Sequence, residues 1–232
     1  SWAYDGVLPI QFTDRAAPQQ HRWYSFQDVF LALGLSPAQP HYIALTPNSL
    51  NAEVVQTLEA AGIDFSLRLA VMHTGATKQY KLWPHASFAA LATQLSNEGY
   101  QVIFMGAGKD ADDINATLSL LDGAVRSACV NLCNQLSLAQ LASFFQHAAL
   151  MVGNDSGPFH LSAALGLPGV VIFGPTEASL WGPLAARSTL LQDRSVCSAV
   201  CNRNNCELGY RCLSAITPAL VRAALQKSLG GK

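Results

Sequence analysis

The stretch Val152-Gly153-Asn154-Asp155-Ser156-Gly157-Pro158-Phe159-His160 decides the architecture. The apolar run ending at Val152 reads as a buried strand, and the apolar residues from Phe159 onward read as a helix. Gly153 and Gly157 allow a tight turn between them, and Pro158 suits a first helical position, where its missing N–H is no loss. The free amides of such a helix start attract phosphate. Asp155, Ser156 and His160 add a carboxylate, a hydroxyl and an imidazole at the same turn, which is more polar chemistry than a plain connection requires. The loop reads as the diphosphate and sugar end of a nucleotide-sugar site. A diphosphate repels a carboxylate, so Asp155 is expected to face sugar hydroxyls or its own loop's amides, leaving the Ser156 and Gly157 N–H groups to the phosphate.

Outward from this turn, short apolar runs alternate with helical patterns. Strands are expected over 69–72, 102–105, 130–132, 149–152 and 170–173. Helices are expected through Phe88, Leu91, Ala92 and Leu95, over 114–121, through Leu138, Leu141, Phe144 and Phe145 behind a Ser137 cap, and over 159–165. This alternation predicts the α/β class, with a Rossmann-like parallel sheet, helices on both faces and ligands at the carboxyl ends of the strands. The loops 73–81, 106–110, 153–157 and 174–176 fall at that edge and are expected to converge on one pocket. Upstream, residues 6–10 read as a strand remnant before a polar linker. Ser25 and Asp28 cap a helix through Phe26, Val29, Phe30 and Leu33 that stops at Gly34, and a second helix fits 52–61.

The 232 residues are 50% hydrophobic and only 12% charged, against roughly 25% charged in ordinary soluble domains, which points to a sheet covered on both faces. A net charge of −1 with no Lys/Arg stripe argues against a nucleic-acid partner. The apolar stretches 159–167 and 169–173 fall short of the approximately 20 residues a membrane span needs. Asp5 and Pro9 interrupt any signal-peptide pattern, so a cytoplasmic location is expected. The opening Ser1-Trp2-Ala3-Tyr4-Asp5 carries no Met and reads as cut from something longer.

Several residues carry candidate chemistry. Lys81 reads either as an ammonium reaching a diphosphate or as a solvated surface lysine. Gly106-Ala107-Gly108-Lys109-Asp110 resembles a shortened dinucleotide turn, in which Asp110 either accepts from ribose hydroxyls or caps the next helix. Asp110-Ala111-Asp112-Asp113 also reads as a D-x-D metal motif or as ordinary first-turn acidic residues. Cys197, Cys201, Cys206 and Cys212 form a C-x3-C-x4-C-x5-C run, a candidate structural metal knuckle in a reducing compartment, whereas Cys129 and Cys133 read as buried thiols.

Taken together, K-L-W-P at 81–84, G-A-G-K-D at 106–110, Asn131-Leu132 leading to Leu136-Ser137-Leu138, N-D-S-G-P-F-H at 154–160, F-G-P-T at 173–176 and W-G-P at 181–183 resemble glycosyltransferase family 9. These are the bacterial ADP-heptose:lipopolysaccharide heptosyltransferases, and the resemblance covers about residues 66–230. It implies one half of a GT-B enzyme of two Rossmann-like domains: residues 1–65 as linker and remnant of an amino-terminal acceptor domain, and 66–232 as the domain that binds the donor, ADP-heptose. It further implies that Thr77 and Lys81 contact the diphosphate, Asp110 the ribose, Leu136 the adenine, and Asp155, Ser156, Gly157 and His160 the phosphate and heptose, with catalytic roles for Lys81, Asp155 and His160. No cofactor is implied for an inverting transfer. The implied partners are the lipopolysaccharide core acceptor, the enzyme's own amino-terminal domain and a peripheral contact at the inner membrane. The family's ribose-contacting acid is commonly Glu, one methylene longer than Asp110. Its general base is an Asp in a glycine-containing loop, a context that neither Asp5 nor Asp14 has. The expectation is a donor-binding part, inactive in isolation. Rival readings are a protein heptosyltransferase, a nucleotide-sugar epimerase or a non-enzymatic nucleotide-binding module.

Overall fold

The structure is a computed structural model that describes residues 49–197, 201 and 203–230. The strand remnant expected over 6–10 and the helix expected through Phe26 lie outside the described residues. The strands are β1 (Arg68–His73), β2 (Tyr100–Phe104), β3 (Val130–Asn131), β4 (Ala148–Asn154), β5 (Gly169–Phe173) and β6 (Ser188–Gln192). The helices are α1 (Ala52–Ala60), α2 (His85–Asn97), α3 (Asp110–Leu118), α4 (Gly123–Ala128), α5 (Leu138–Phe144), α6 (Gly157–Ala164), α7 (Ala178–Trp181), α8 (Arg211–Ser214) and α9 (Pro218–Gly230).

All six strands form one sheet in the order β3-β2-β1-β4-β5-β6, and every neighbouring pair is parallel. The chain winds outward from β1 through β2 to β3, then returns to lay β4 on the other side of β1. Such a reversal opens a crevice at the carboxyl ends of the two strands it separates. Here those ends are His73 and Asn154, so the turn quoted first lies at the switch point.

Strand periodicity explains the two cores. Ala70, Met72, Val102, Phe104, Val152 and Ile172 point to one face, where they pack with Phe88, Leu91 and Leu95 of α2, Ile114 of α3, and Val221 and Leu225 of α9. Leu69, Val71, Ile103, Met151, Val171 and Phe173 point to the other, against Leu58 of α1, Phe144 of α5, and Phe159 and Ala163 of α6. Burial on both faces is why the strands read as unbroken apolar runs. Leu58 and Ile63 share this second core, with Leu50 and Val54 packed on it, so the folded unit reaches back before residue 66.

Local signals set the helix starts as expected. Ser137 and Gln140 form a reciprocal capping box at α5, and Pro158 occupies the first turn of α6. α9 closes the fold over α2, where Arg222 grips Glu98 with paired hydrogen bonds. The short elements α4, β6, α7 and α8 were not expected. Every residue of β6 is half-buried, which gives neither an apolar run nor a clean alternation. Among the described residues no helix is long and apolar enough to cross a membrane.

Candidate active site

A pocket of about 640 Å³ opens at the carboxyl edge between β1 and β4. All eight residues expected at a donor site line it: Thr77, Lys81, Asp110, Leu136, Asp155, Ser156, Gly157 and His160. Six of them come from three of the four expected loops: Thr77 and Lys81 from 73–81, Asp110 from 106–110, and Asp155, Ser156 and Gly157 from 153–157; Leu136 comes from the connection after β3 and His160 from α6. The fourth, 174–176, does not line the pocket; the Gly174 and Thr176 carbonyls accept from Gln192 Nε2, each at 2.7 Å, which makes it a structural turn.

Asn154 fixes the loop after β1 to the end of β4. It is fully buried, its Oδ1 accepts from the Trp83 N–H at 3.0 Å, and its Nδ2 donates to the Thr74 and Gly75 carbonyls at 2.9 and 3.2 Å. Trp83 is itself fully buried and donates its indole N–H to the Ile216 carbonyl at 2.8 Å. With the loop anchored at both ends, Lys81 in the 3-10 turn Gln79–Lys81 reaches across, and its Nζ lies 2.6 Å from Asp155 Oδ2. His160 approaches the other oxygen of the same carboxylate, Nε2 to Oδ1 at 3.6 Å. Burial pushes the Asp155 carboxyl up, but the hydrogen bonds from His160 and Lys81 and their charges outweigh it and hold the group below the usual range. Asp155 faces these two side chains rather than its own loop's amides. It neutralises the cation and aims it, while Lys81 and His160 keep about 21% and 33% of their side chains exposed toward an incoming ligand.

Asp110 begins α3 at the far side of the pocket, wedged between two glycines. A Cβ on Gly75 would lie 2.2 Å from Asp110 Oδ1, and one on Gly106 would lie 2.6 Å from Asp110 Cβ, so only glycine fits at either place. Asp110 Oδ2 accepts from the Ala107 N–H at 3.0 Å and stands 3.3 Å from His73 Nε2. Burial raises this carboxyl as well; the His73 and Ala107 hydrogen bonds and the charges of His73 and Lys109 more than offset that and lower it. The three acidic residues of the first turn diverge, since Asp113 turns to His85 at 3.5 Å and Asp112 is exposed. That geometry does not make a D-x-D metal site.

An apolar wall of Met105, Leu132, Leu136, Leu138 and Leu141 completes the pocket, with Trp181 at its rim. Apolar walls with a few convergent polar groups and this volume are typical of small-ligand sites. Sequence reasoning found only Leu136 of this wall. It also missed His73 and Asn154, whose signal was their position: each is the last residue of a strand flanking the switch point.

The cysteines do not join the pocket. Among the described residues no group of three or more His, Cys, Asp or Glu side chains is placed to hold a metal ion, although Cys197, Cys201, Cys206 and Cys212 lie within electrostatic range of one another. All six thiols are unpaired. Burial, then the neighbouring Cys197, Cys201 and Cys206, push the Cys212 thiol up to about 11, and burial alone takes Cys129 to about 11.

Residues 21–210 match the profile of Glycosyltransferase family 9 (heptosyltransferase). The chain belongs to glycosyltransferase family 9. Lipopolysaccharide heptosyltransferase 2 of Salmonella typhimurium is 37% identical over 112 residues, which is 48% of this chain and 32% of that protein. The solved E. coli ADP-heptose lps heptosyltransferase II superposes with a TM-score of 0.68 at 27% identity, over 82% of this chain and 55% of that one. The family 9 glycosyl transferase of Veillonella parvula, at 22% identity, shares the fold with a TM-score of 0.72 over 93% of this chain and 61% of that one. The matched stretch thus spans about a third to a half of the length of the curated relatives it matches.

Proposed function

We propose that this family 9 domain binds ADP-heptose and serves the transfer of heptose to the inner core of lipopolysaccharide, with inversion at the anomeric carbon. The convergence of the eight implied residues in one pocket carries the reading. In it, adenine lies against the Leu132, Leu136 and Leu141 wall, the ribose meets Asp110, and the diphosphate lies between Thr77, Lys81 and the Ser156–Gly157 start of α6. The similarity to two proteins named as heptosyltransferases supports the choice of sugar.

As the glycosidic bond breaks, negative charge develops on the ADP leaving group. Lys81 and the helix-start amides are aimed at the place where it develops, which is the preorganised electrostatic stabilisation that lowers such barriers. No metal is required for that step. Asp155 holds Lys81 and His160 in position, and His160 is left to contact phosphate or heptose.

The acceptor hydroxyl also needs a base. Both carboxylates that line the pocket are engaged, Asp110 by His73 and Ala107, and Asp155 by Lys81 and His160. We therefore assign the base to an acceptor domain, to which residues before this unit belong, and place the complete enzyme against the inner face of the membrane that carries its acceptor. Incubation of the complete enzyme with ADP-heptose and a heptose-deficient core acceptor should add one heptose by mass. Consumption of donor with no mass added to the acceptor would contradict the proposal.

A further inference from the structure

His73 is a buried imidazole that the transfer scheme above leaves unused. It is 3% exposed, lines the pocket, and bridges the pocket's two polar ends: Nε2 lies 3.3 Å from Asp110 Oδ2 and Nδ1 lies 3.1 Å from Ser156 Oγ. An ionised carboxylate can only accept hydrogen bonds, so Nε2 must carry a hydrogen. In a neutral ring Nδ1 is then a lone pair, and it accepts the Ser156 hydroxyl hydrogen. That leaves Ser156, at the start of α6, presenting lone pairs to the pocket. A phosphate oxygen needs a donor there.

We propose that His73 is a positioning residue that takes up one proton from solvent as the diphosphate binds, and by doing so turns the Ser156 hydroxyl onto the phosphate. The proton adds to Nδ1. Nδ1–H then donates to Ser156 Oγ, and the Ser156 O–H, released from the ring, donates to a phosphate oxygen. Departure of the nucleotide reverses each step, and no other bond changes. The inference rests on the pocket being the ADP-sugar site.

The charges around the ring favour this sign. Asp110, from the start of α3, faces Nε2. Lys109, the nearest cation to that carboxylate in sequence, donates to the Thr77 carbonyl at 3.2 Å. On the β4 side, Asp155 is matched by Lys81 and His160. Cys133 lies within electrostatic range of Asp110 from the loop after β3. A bound diphosphate adds negative charge beside Ser156, so the imidazolium would lie between two anions in the loaded site and beside one in the empty site.

Calorimetric titration with ADP in two buffers of different ionisation enthalpy reads the proton directly. Wild type should take up more proton per ADP than His73→Asn, whose amide can still meet Ser156 but carries no charge. His160→Asn, which removes the other imidazole, should keep the excess. Equal proton uptake in wild type and His73→Asn overturns the proposal while leaving the ADP site intact; absence of ADP binding to wild type overturns both. Should His73→Asn fail to fold, ring-nitrogen NMR of the wild type decides. The His73 signals should become those of an imidazolium on saturation with ADP, and a neutral ring in the saturated complex refutes the inference.

Discussion

Asn154→Ala should be among the most damaging single changes in this domain, and its cost can be worked from three hydrogen bonds. The substitution removes the acceptor for the Trp83 N–H and the donor to the Thr74 and Gly75 carbonyls, all inside a fully buried site. Each buried backbone group left without its partner costs about 1–3 kcal/mol. Local relaxation, with water entering from the adjacent pocket, recovers part of that, so a net loss of about 3 kcal/mol is expected. For a chain of this size each kcal/mol moves Tm by roughly 2–4 °C, which makes the expected fall roughly 6–12 °C. Asn154→Asp is the informative companion. It can still accept from Trp83, but it sets a carboxylate oxygen against two carbonyls, so it should do no better than Ala. Urea unfolding followed by far-UV circular dichroism measures both. A loss below about 1 kcal/mol for Asn154→Ala would mean that the loop carrying Lys81 is held by something other than this clamp.

Three further outcomes follow from the site. Gly75→Ala should displace the Asp110 side chain, because the new Cβ would collide with its carboxylate; ADP affinity should fall about tenfold or more in titration, and the unfolding midpoint should fall with it as Asp110 loses His73 and the Ala107 N–H. Asp155 and Asp110 have folded values below their ordinary 3.8, so their stabilisation is complete above that pH and lost as pH falls through the lower folded values. Asp155→Asn should therefore be less stable than wild type at pH 7, with the gap closing in unfolding curves taken at pH values falling below about 3.8. Cys129 and Cys212, with thiols near 11, should alkylate at pH 8 roughly a hundredfold more slowly than free cysteine, as mass spectrometry of labelled peptides would show.

Much of this was legible in the sequence because burial on both faces leaves unmistakable strands. The runs at 69–72, 102–105, 149–152 and 170–173 each fall on a strand of the sheet, within a residue or two of the observed ends. Ser137 and Pro158 marked their helix starts by local chemistry that tertiary packing did not override. β6 was silent because an edge strand is only half covered. The pocket residues were legible by resemblance and by their places in loops, but their pairings were not. Nothing in the spacing of Lys81, Asp155 and His160 says that one carboxylate serves two cations, and nothing near His73 announces a bridge between residues 37 and 83 positions away. Those links depend on the order β2-β1-β4, which places loops distant in sequence side by side.

Titration with ADP, with UDP as the control and both repeated on Lys81→Ala, tests the donor site most directly. The apolar wall and the Lys81 ammonium together predict that wild type binds ADP, that UDP binds at least about tenfold more weakly, and that Lys81→Ala loses about tenfold to a hundredfold in ADP affinity. Equal affinity for ADP and UDP, or ADP binding untouched by Lys81→Ala, would contradict the assignment of this pocket as an ADP-sugar site.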